Sequence, residues 1–413
     1  MNLNSMALRT LARNRRRTLI TSFSVAFGIF LAVTFTGSGD YSYTNMIDTG
    51  AVMGFGHVSI EAAGYNDKPS LSRWFTEADR IGSKAEGLAP VTGAYPRIIG
   101  QAMFAAGAKS SGGMFMAIDP VHEKAEHNFF LRSIVAGRIF EKAEGRGALI
   151  GVELAKKLNV RPGKKLIITV TDKDGQLASE LLRISGLFET GDHAADSGIV
   201  LVPLNRMRQT LIYDDNGATL VAVYVNDQRK AGRIKSQLEG KLSGSNDIEV
   251  LTWHETQSDL SGLIAVDRLF NYLLQLLVGL VIAAGITNTM LMSVLERTRE
   301  FGIMMALGMA PRQVVRLVLV ESFWLGCLGV AIGIVISIPW FYYMSETGID
   351  LSRHVGEDYS AGGVLVDPVM KLRLFKESAV AILATVFFLT LAAGVYPAIR
   401  AGKIMPVDTI KEI

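Results

Sequence analysis

Four long apolar runs dominate this sequence, and they restrict the folds that it can adopt more than any other feature. Each holds about 20 residues or more, the length that a helix needs to cross roughly 30 Å of hydrocarbon. The chain is 49% hydrophobic with a mean hydropathy of +0.29, which is more apolar than an ordinary soluble enzyme. We therefore predict an integral membrane α-helical protein with four transmembrane helices, at residues 18–38, 267–295, 317–344 and 378–399.

The first run also has an alternative interpretation, because basic residues precede it as they precede the apolar core of a signal peptide. Its length of about 20 residues exceeds that of a typical core, which has roughly 7–15 residues. No small-residue cleavage pattern follows it. We therefore expect it to be retained as the first span.

Positive charges gather at three places next to the apolar runs. The positive-inside rule puts all three on the cytoplasmic side, together with both termini, residues 1–17 and 400–413. A nucleic-acid patch is the other interpretation of such clusters, but beside an apolar run membrane orientation explains them better, and we expect no nucleic-acid partner. The residues are Arg9, Arg13, Arg15, Arg16 and Arg17, then Arg297, Arg299, Arg312 and Arg316, and finally Arg400, Lys403 and Lys411.

Residues 39–266, between the first two runs, are numerous enough for a sizeable folded domain. Their mixture of strand and helix patterns predicts a large extracytoplasmic α+β domain inserted between helices 1 and 2, in one body or two lobes. Asp174 and Gly175 mark a tight hairpin turn. A second outer segment, residues 345–377, is predicted to be a short loop or hairpin. Strands are predicted from Val91, Met114, Lys164, Ala178, Gly198, Ala218 and Ile248, and helices at Gly151–Leu158, Leu204–Leu211 and Arg229–Leu242.

The sequence contains no recognisable catalytic or metal-binding constellation. The segment HEKAEH places His122 and His127 about 140° apart round a helix, so they could not chelate one ion from one face. The pairs that share a helical face, His122 with Glu126 and Glu123 with His127, are predicted to be ordinary surface pairs. Nucleophile-elbow and phosphate-loop motifs are missing from the sequence. We expect no enzyme activity, and no metal or cofactor bound by this chain.

One carboxylate and several rows of small residues stand out within the runs. Glu321 lies near the start of the third run, where an ion pair with an arginine on the same side is favoured over a functional role. Gly28, Gly279 and Gly329 belong to rows of small residues at helical spacing, which let helices approach closely. No row of charges lines a path through the bundle, so a pore or ion-coupled carrier is not expected.

The charged segment 296–316 separates the second and third runs. Read as a helix, it aligns Phe301, Met304 and Met305 in an apolar stripe, and Gly308 and Pro311 are suited to end this helix and begin the next. The stripe is too short to span a membrane and too apolar to face water. It is expected either to lie on the lipid surface or to dock into a groove of another protein.

The same segment resembles the MacB/FtsX-like ABC transporter permeases. Their pattern E-R-x-x-E-[FI]-G-x-x-x-A-x-G is met by Glu296, Arg297, Glu300, Phe301, Gly302, Ala306 and Gly308. The C-terminal segment YPAIRAGKIMPVDTIKEI resembles the family's C-terminus. The segments GVELAKKLNVRPGKKLIITV and MAIDP resemble pieces of its periplasmic core domain. The order of one span, a large domain and three further spans is also the family's.

The resemblance implies a permease subunit in the bacterial inner membrane, with the large domain in the periplasm. It implies two partner ABC ATPase subunits that bind ATP and Mg, and a second permease chain, identical or homologous. Segment 296–316 would be the coupling helix that docks on the ATPase. The coupling residues would be Glu296, Arg297, Glu300, Phe301, Gly302, Met305, Ala306, Gly308 and Arg312.

The chain has no fused ATPase domain, so the resemblance is closest in layout to the lipoprotein-releasing (LolCDE-type) permeases. Lipoprotein release from the inner membrane is the favoured function. Two alternatives stay open: MacB-type efflux of toxins, peptides or antibiotics with a periplasmic adaptor, and FtsX-type signalling to a cell-wall hydrolase. The substrate is expected to contact the outer half of the first span or the strand near Met114, at Phe30, Val33, Phe35, Met114, Phe115 and Met116.

Overall fold

The computed structural model describes residues 3–214, 216–242, 247–351, 360–361, 364–365 and 368–404. The chain divides into two compact units. The helical unit comprises Met1–Ser42, Val266–Asp350 and Val369–Ile413, and the β-rich unit comprises Tyr43–Ala265 and Leu351–Pro368.

The helical unit contains all or most of four long helices, and each is long and apolar enough to cross a membrane. They are α2 (Arg15–Gly50), α10 (Ser258–Glu296), α12 (Pro311–Glu346) and α13 (Lys376–Gly402). Two short helices, α1 (Leu3–Arg13) and α11 (Thr298–Ala306), complete the unit. Each of the four predicted spans falls on one of these long helices. Helices α2 and α10 extend beyond the predicted span ends at residues 38 and 267. Hydropathy detects only the apolar part of a helix, and both helices continue into polar turns.

Small residues set the close packing of these helices, as their spacing predicts. A Cβ atom added at Gly329 would lie 2.6 Å from Val25, and one at Gly333 would lie 2.8 Å from Ile29, so the backbone of α12 packs directly against side chains of α2. At Gly28 the added atom would meet Ile282 of α10 at 2.8 Å. Close approach of this kind supplies the dispersion contacts that hold helices together where no hydrophobic effect operates.

The β-rich unit contains ten strands in one continuous sheet with two lobes. The strands are β1 (Val58–Ala62), β2 (Val91–Ala106), β3 (Lys109–Ile118), β4 (Ile134–Gly137), β5 (Gly147–Gly151), β6 (Lys165–Thr171), β7 (Leu177–Phe188), β8 (Ile199–Pro203), β9 (Leu220–Val225) and β10 (Ile248–Thr252). Its helices are α3 (Ala78–Glu86), α4 (Phe129–Arg132), α5 (Val152–Leu158), α6 (His193–Gly198), α7 (Leu204–Thr210), α8 (Ala231–Leu242) and α9 (Trp253–Thr256).

The long strand β2 belongs to both lobes. Its first half pairs with β9, which continues through β1 to β10 as an antiparallel sheet. Its second half pairs with both β3 and β6, and the series β2-β3-β8-β5-β7-β6 returns to β2, so these six strands form a closed ring. Closing the ring removes the unpaired edges that an open sheet would expose.

The predicted strands and helices of this domain are found, most within two residues of their observed ends. The hairpin at Asp174–Gly175 is confirmed: β6 and β7 pair up to Thr171↔Leu177, and Gly175 has φ +83°. Strands β1, β4 and β5 and helices α3, α4, α6 and α9 were not predicted. All five residues of β1 are buried, including Ser59 and Glu61, although their alternation with apolar residues is the pattern of a half-buried strand.

A buried polar cluster corrects the interpretation of the segment HEKAEH. Only Ala125–His127 is helical, as one 3-10 turn, so the assumed face-sharing pairs do not form. Glu123 instead pairs with Arg97 in the core, and Arg97 donates to the Gly54 carbonyl at 2.6 Å. The His127 ring stacks on Tyr224 at 4.6 Å, and burial lowers the pKa of His127 to about 4. The surface-pair prediction is therefore wrong for Glu123 and His127.

The second outer segment contains antiparallel pairs, in line with the hairpin alternative. Ile349–Asp350 (β11) pairs with Val369–Met370 (β14), and Ser360–Ala361 (β12) pairs with Val364–Leu365 (β13). The other residues between 352 and 367 lie outside the described part of the chain.

Glu61 generates a pH-dependent prediction for the β-rich unit. Burial raises its pKa to about 7, against a small lowering from the Ser59 hydroxyl and a further rise from Glu249. Because the folded-state pKa lies above the unfolded value of 4.5, the protein is most stable below that value and loses stability as the pH rises through 7.

The substitution Glu61→Gln should therefore stabilise the full-length protein at pH 8, by up to about 3 kcal/mol, and have little effect near pH 4.5. Thermal unfolding in detergent across this range measures the difference. Glu141→Gln is the matched control, because that carboxylate is exposed. If the difference in stability between Glu61→Gln and the natural protein did not increase with pH, the raised pKa of Glu61 would be contradicted.

Candidate functional site

The loop between α10 and α12 is the most distinctive local structure of the helical unit. Helix α11 ends at Ala306, Gly308 adopts φ +100°, and Pro311 occupies the first turn of α12. A positive φ favours glycine over other residues, and proline fits the first turn because no backbone N–H is needed there. The predicted sequence of short helix, glycine turn and next helix is thus confirmed.

Arg297 ties this loop to the helix bundle. Its Nη1 donates to both carboxylate oxygens of Glu321 on α12, at 3.0 and 3.1 Å, and its Nε donates to Glu300 at 3.0 Å. The guanidinium also lies 5.0 Å from the ring centre of Phe301. The Arg297 and Glu321 side chains are only 8% and 5% exposed, so the predicted pairing of Glu321 with an arginine is confirmed. An ion pair this deeply buried strongly disfavours any movement that would separate its partners.

Two outer ion pairs connect the same loop to the start of the chain. Arg13, the last residue of α1, donates to Glu300 at 2.6 Å, and Arg17 of α2 pairs with Glu296. Partial burial of Glu300 opposes its ionisation, but hydrogen bonds from Arg297 and Arg13 outweigh burial and lower its pKa. Glu300 therefore stays charged at neutral pH and shares two arginines.

The apolar stripe of α11 packs partly into the core of the helical unit. Phe301 is fully buried within the bundle's own core, and Met304 and Met305 pack against that core. Phe301 is thus covered by the chain itself, whereas Met304 and Met305 are half-buried. Lipid contact and docking into a partner's groove stay predictions for the half-buried part of the stripe.

The structure separates the predicted coupling residues into an inner and an outer set. Arg297, Phe301 and Gly302 are buried and position the loop, whereas Met305 is half-buried. The exposed members are Glu296, Glu300, Ala306, Gly308 and Arg312.

Two exposed side chains of the loop escaped the sequence analysis. Leu307 is 84% exposed and Ile303 is 47% exposed. They lie four residues apart, on the side of α11 away from Phe301, and this spacing was the signal available in the sequence. We call Ile303, Ala306, Leu307 and Gly308 the loop tip. Arg299 and Arg312 are also exposed on this loop. A tip of this kind, apolar and bordered by cations, is suited to bind an apolar cleft with an acidic rim.

The predicted substrate residues lie in both units. In the helical unit Val33 is buried, Phe35 is half-buried, and the Phe30 ring lies 5.6 Å from that of Trp340. In the β-rich unit Phe115 and Met116 belong to the core and offer no surface to a substrate in this structure.

Met114 does face open space in the β-rich unit. It lines two grooves of about 480 and 520 Å³ that share Phe55, Gln101, Met114 and Thr256. The Nε2 atom of Gln257, in the second groove, is buried without a hydrogen-bond partner among the described residues. The grooves thus combine apolar walls with an unsatisfied donor. Across the described residues, no group of three or more His, Cys, Asp or Glu side chains could hold a metal ion.

Comparison with known proteins identifies the class to which this architecture belongs. Residues 18–241 match the MacB-like periplasmic core domain, and residues 272–406 match the FtsX-like permease C-terminal domain. The chain therefore belongs to the MacB/FtsX-like family of ABC transporter permeases, which are membrane proteins.

Relatives whose names state different functions are about equally similar to this chain. A lipoprotein-releasing system transmembrane protein LolC from Xylella fastidiosa is 24% identical over 78% of this chain and 78% of its own length. A LolE protein of the same system from Haemophilus influenzae is 23% identical over 86% of this chain and 84% of its own length. A macrolide export ATP-binding/permease protein MacB from Nitrobacter winogradskyi is 24% identical over 98% of this chain and 59% of its own length. Identity alone does not select among these functions.

The buried pair gives a prediction about stability. Arg297→Gln leaves Glu321 buried without its counter-charge and should cost about 3–5 kcal/mol, whereas the double variant Arg297→Gln/Glu321→Gln should recover most of that loss. A double-mutant cycle of thermal unfolding in detergent measures the coupling.

The exposed pair Arg138–Glu141, also at 3.0 Å, is the control and should show coupling of at most about 1 kcal/mol. Equal coupling energies at the two pairs would show that burial does not strengthen the Arg297–Glu321 ion pair.

Proposed function

We propose that this chain is the permease subunit of an ABC transporter and couples ATP hydrolysis by a separate ATPase to movements of the β-rich domain. ATP and Mg bind in two partner ATPase subunits, and a second permease chain, identical or homologous, completes the assembly. The protein resides in the bacterial inner membrane, with the loop and both termini in the cytoplasm and the β-rich domain in the periplasm. The observation that carries the proposal is the loop tip, an exposed apolar surface held by a buried ion pair.

The chemistry of the loop tip supports an ATPase as its partner. An isolated leucine that is 84% exposed to water gains free energy when a partner covers it. Arg299 and Arg312 add charge that selects an acidic rim and speeds encounter. Family membership supports an ABC ATPase as that partner, because ABC permeases work with ABC ATPases.

The ion pairs behind the loop tip would convert docking into movement of the spans. Arg297 joins the loop to α12 through Glu321, and Glu300 and Glu296 join it to Arg13 and Arg17 at the start of the chain. A force applied to the tip would therefore reach three helices through charged contacts. This arrangement requires no polar path through the bundle, as expected for a machine whose substrate stays outside the membrane.

We infer that the substrate is a lipoprotein or a similar lipid-anchored molecule. Two relatives are named for lipoprotein release and align with most of this chain. The grooves beside Met114 are of a size and polarity to take an apolar chain. Export of small toxins, peptides or antibiotics through an adaptor is the second candidate, favoured by a MacB relative that aligns with 98% of this chain.

The docking surface is tested by Leu307→Asp. Placing a carboxylate at the loop tip should reduce co-purification of the ATPase at least about tenfold, because burial of a leucine contributes roughly 2 kcal/mol. Membrane insertion should be unchanged. The matched control is Leu177→Asp, which alters a leucine that is 80% exposed on the β-rich unit. Normal ATPase retention by Leu307→Asp, or equal loss in both variants, would remove the loop tip as the docking surface.

The substrate is tested by reconstituting the permease and its ATPase in proteoliposomes that contain an acylated lipoprotein. ATP should drive release of the lipoprotein, and Met114→Lys should reduce release without reducing ATPase binding. The same lipoprotein lacking its acyl chains should not stimulate ATP hydrolysis. Stimulation by a macrolide or peptide in place of the lipoprotein would favour the export alternative.

A further inference from the structure

A basic pocket lies at the start of α2, on the side of the helical unit that carries the loop. Its volume is about 770 Å³. Arginines from the junction of α1 and α2 form one wall, and the last turns of α10 form the other. It is lined by Arg13, Asn14, Arg15, Arg16, Arg17, Ile20, Asn288, Thr289, Met292 and Glu296.

The charges of this pocket are only partly balanced. Arg17 is paired with Glu296 and Arg13 with Glu300. Arg15 makes one hydrogen bond, to the Ala12 carbonyl, and no carboxylate contacts it among the described residues. The Arg16 side chain makes no hydrogen bond or ion pair with any residue that the structure describes. Two guanidinium groups from neighbouring residues are therefore available to a ligand. A guanidinium group can bind two oxygens of one phosphate through parallel N–H···O hydrogen bonds.

An apolar ridge begins directly at the pocket. Ile20, Phe23 and Phe27 are each more than half exposed and lie on one face of α2, opposite the buried Val25 and Ile29. Met292 is similarly exposed on α10. Ile20 and Met292 also line the pocket, so cationic and apolar surfaces meet there within one turn of helix.

We propose that this pocket binds the head group of an anionic phospholipid from the surrounding leaflet. Arg15 and Arg16 would hold the phosphate, and the side chains of Asn288 and Thr289 would face the polar part of the head group. The acyl chains would lie along Ile20, Phe23 and Phe27. The arginines stand where an apolar helix face begins, which is the depth of lipid head groups in a bilayer.

Two protein occupants fit this surface less well. A second copy of the chain packed by two-fold symmetry would bring another set of arginines to the same place and add like-charge repulsion. An ATPase would need an acidic segment that reaches past the pocket rim to Ile20 and Met292, whereas a lipid already presents anionic and apolar groups in this order.

Native mass spectrometry of the full-length chain in mild detergent tests the proposal, with equimolar phosphatidylglycerol and phosphatidylcholine as probes. The natural protein should retain phosphatidylglycerol preferentially. Arg15→Gln/Arg16→Gln should reduce its occupancy at least about tenfold. Arg400→Gln/Lys403→Gln removes the same charge at the end of α13 and should have no effect. Millimolar inorganic phosphate should not displace the bound lipid.

A second variant guards against loss of folding in the double arginine variant. Asn288→Leu leaves every charge in place and should still weaken phosphatidylglycerol retention. Equal retention of the two lipids by the natural protein, or equal losses in both double variants, would overturn the proposal. Displacement by inorganic phosphate would assign the pocket to a free anion. Unchanged lipid retention with loss of ATPase co-purification in Arg15→Gln/Arg16→Gln would assign it to the protein partner.

Discussion

The buried pair of Arg297 and Glu321 is the constraint on which the helical unit depends. Both side chains carry ionisable groups and lie where water is largely excluded, so each is tolerable only in contact with the other. Arg297 also reaches Glu300 and the Phe301 ring, which fixes α11 against the bundle. With its apolar stripe turned inward, α11 presents Ile303 and Leu307 outward. The exposed surface is a consequence of the buried pair.

The β-rich unit uses a buried arginine in a comparable way. Arg97 is fully buried, pairs with Glu123 and donates to the Gly54 carbonyl, in the turn that follows α2. His57 adds a second contact, since its Nδ1 accepts from the Val225 amide and its Nε2 therefore donates to Asp48 near the end of α2. The last turns of α2 are thus fixed to the sheet by directional contacts. Under the proposed function, these contacts would transmit movement of the helix to the strands.

The sequence predicted what short-range patterns determine. Hydropathy located the four long helices, and the alternation of apolar and polar residues located most strands. Asp174–Gly175 located the hairpin because this pair is suited to the positive φ of a tight turn. The closed ring was not predictable, since it depends on β6 pairing with both β7 and the distant β2. The segment HEKAEH was misread because Arg97, from another strand, captures Glu123.

The candidate site was predicted as a segment and not as a surface. Its motif residues are found in the loop, but a motif does not say which of them face inward. Phe301 and Gly302 are buried in the bundle. Leu307, which is not among the predicted coupling residues, is the most exposed large hydrophobic residue in the described part of the chain. That distinction depends on the partners of Arg297 on α12 and on the contacts of α1, which are distant in sequence.

The central claim is that the loop tip contacts a nucleotide-hydrolysing partner inside the cell, and site-specific photocrosslinking tests it most directly. A photoreactive amino acid at position 307 in living cells should form an adduct with an ABC ATPase, and the same group at position 177 should not. If position 307 forms no such adduct, and a cysteine placed there reacts with a membrane-impermeant maleimide added outside the cell, the claim is contradicted.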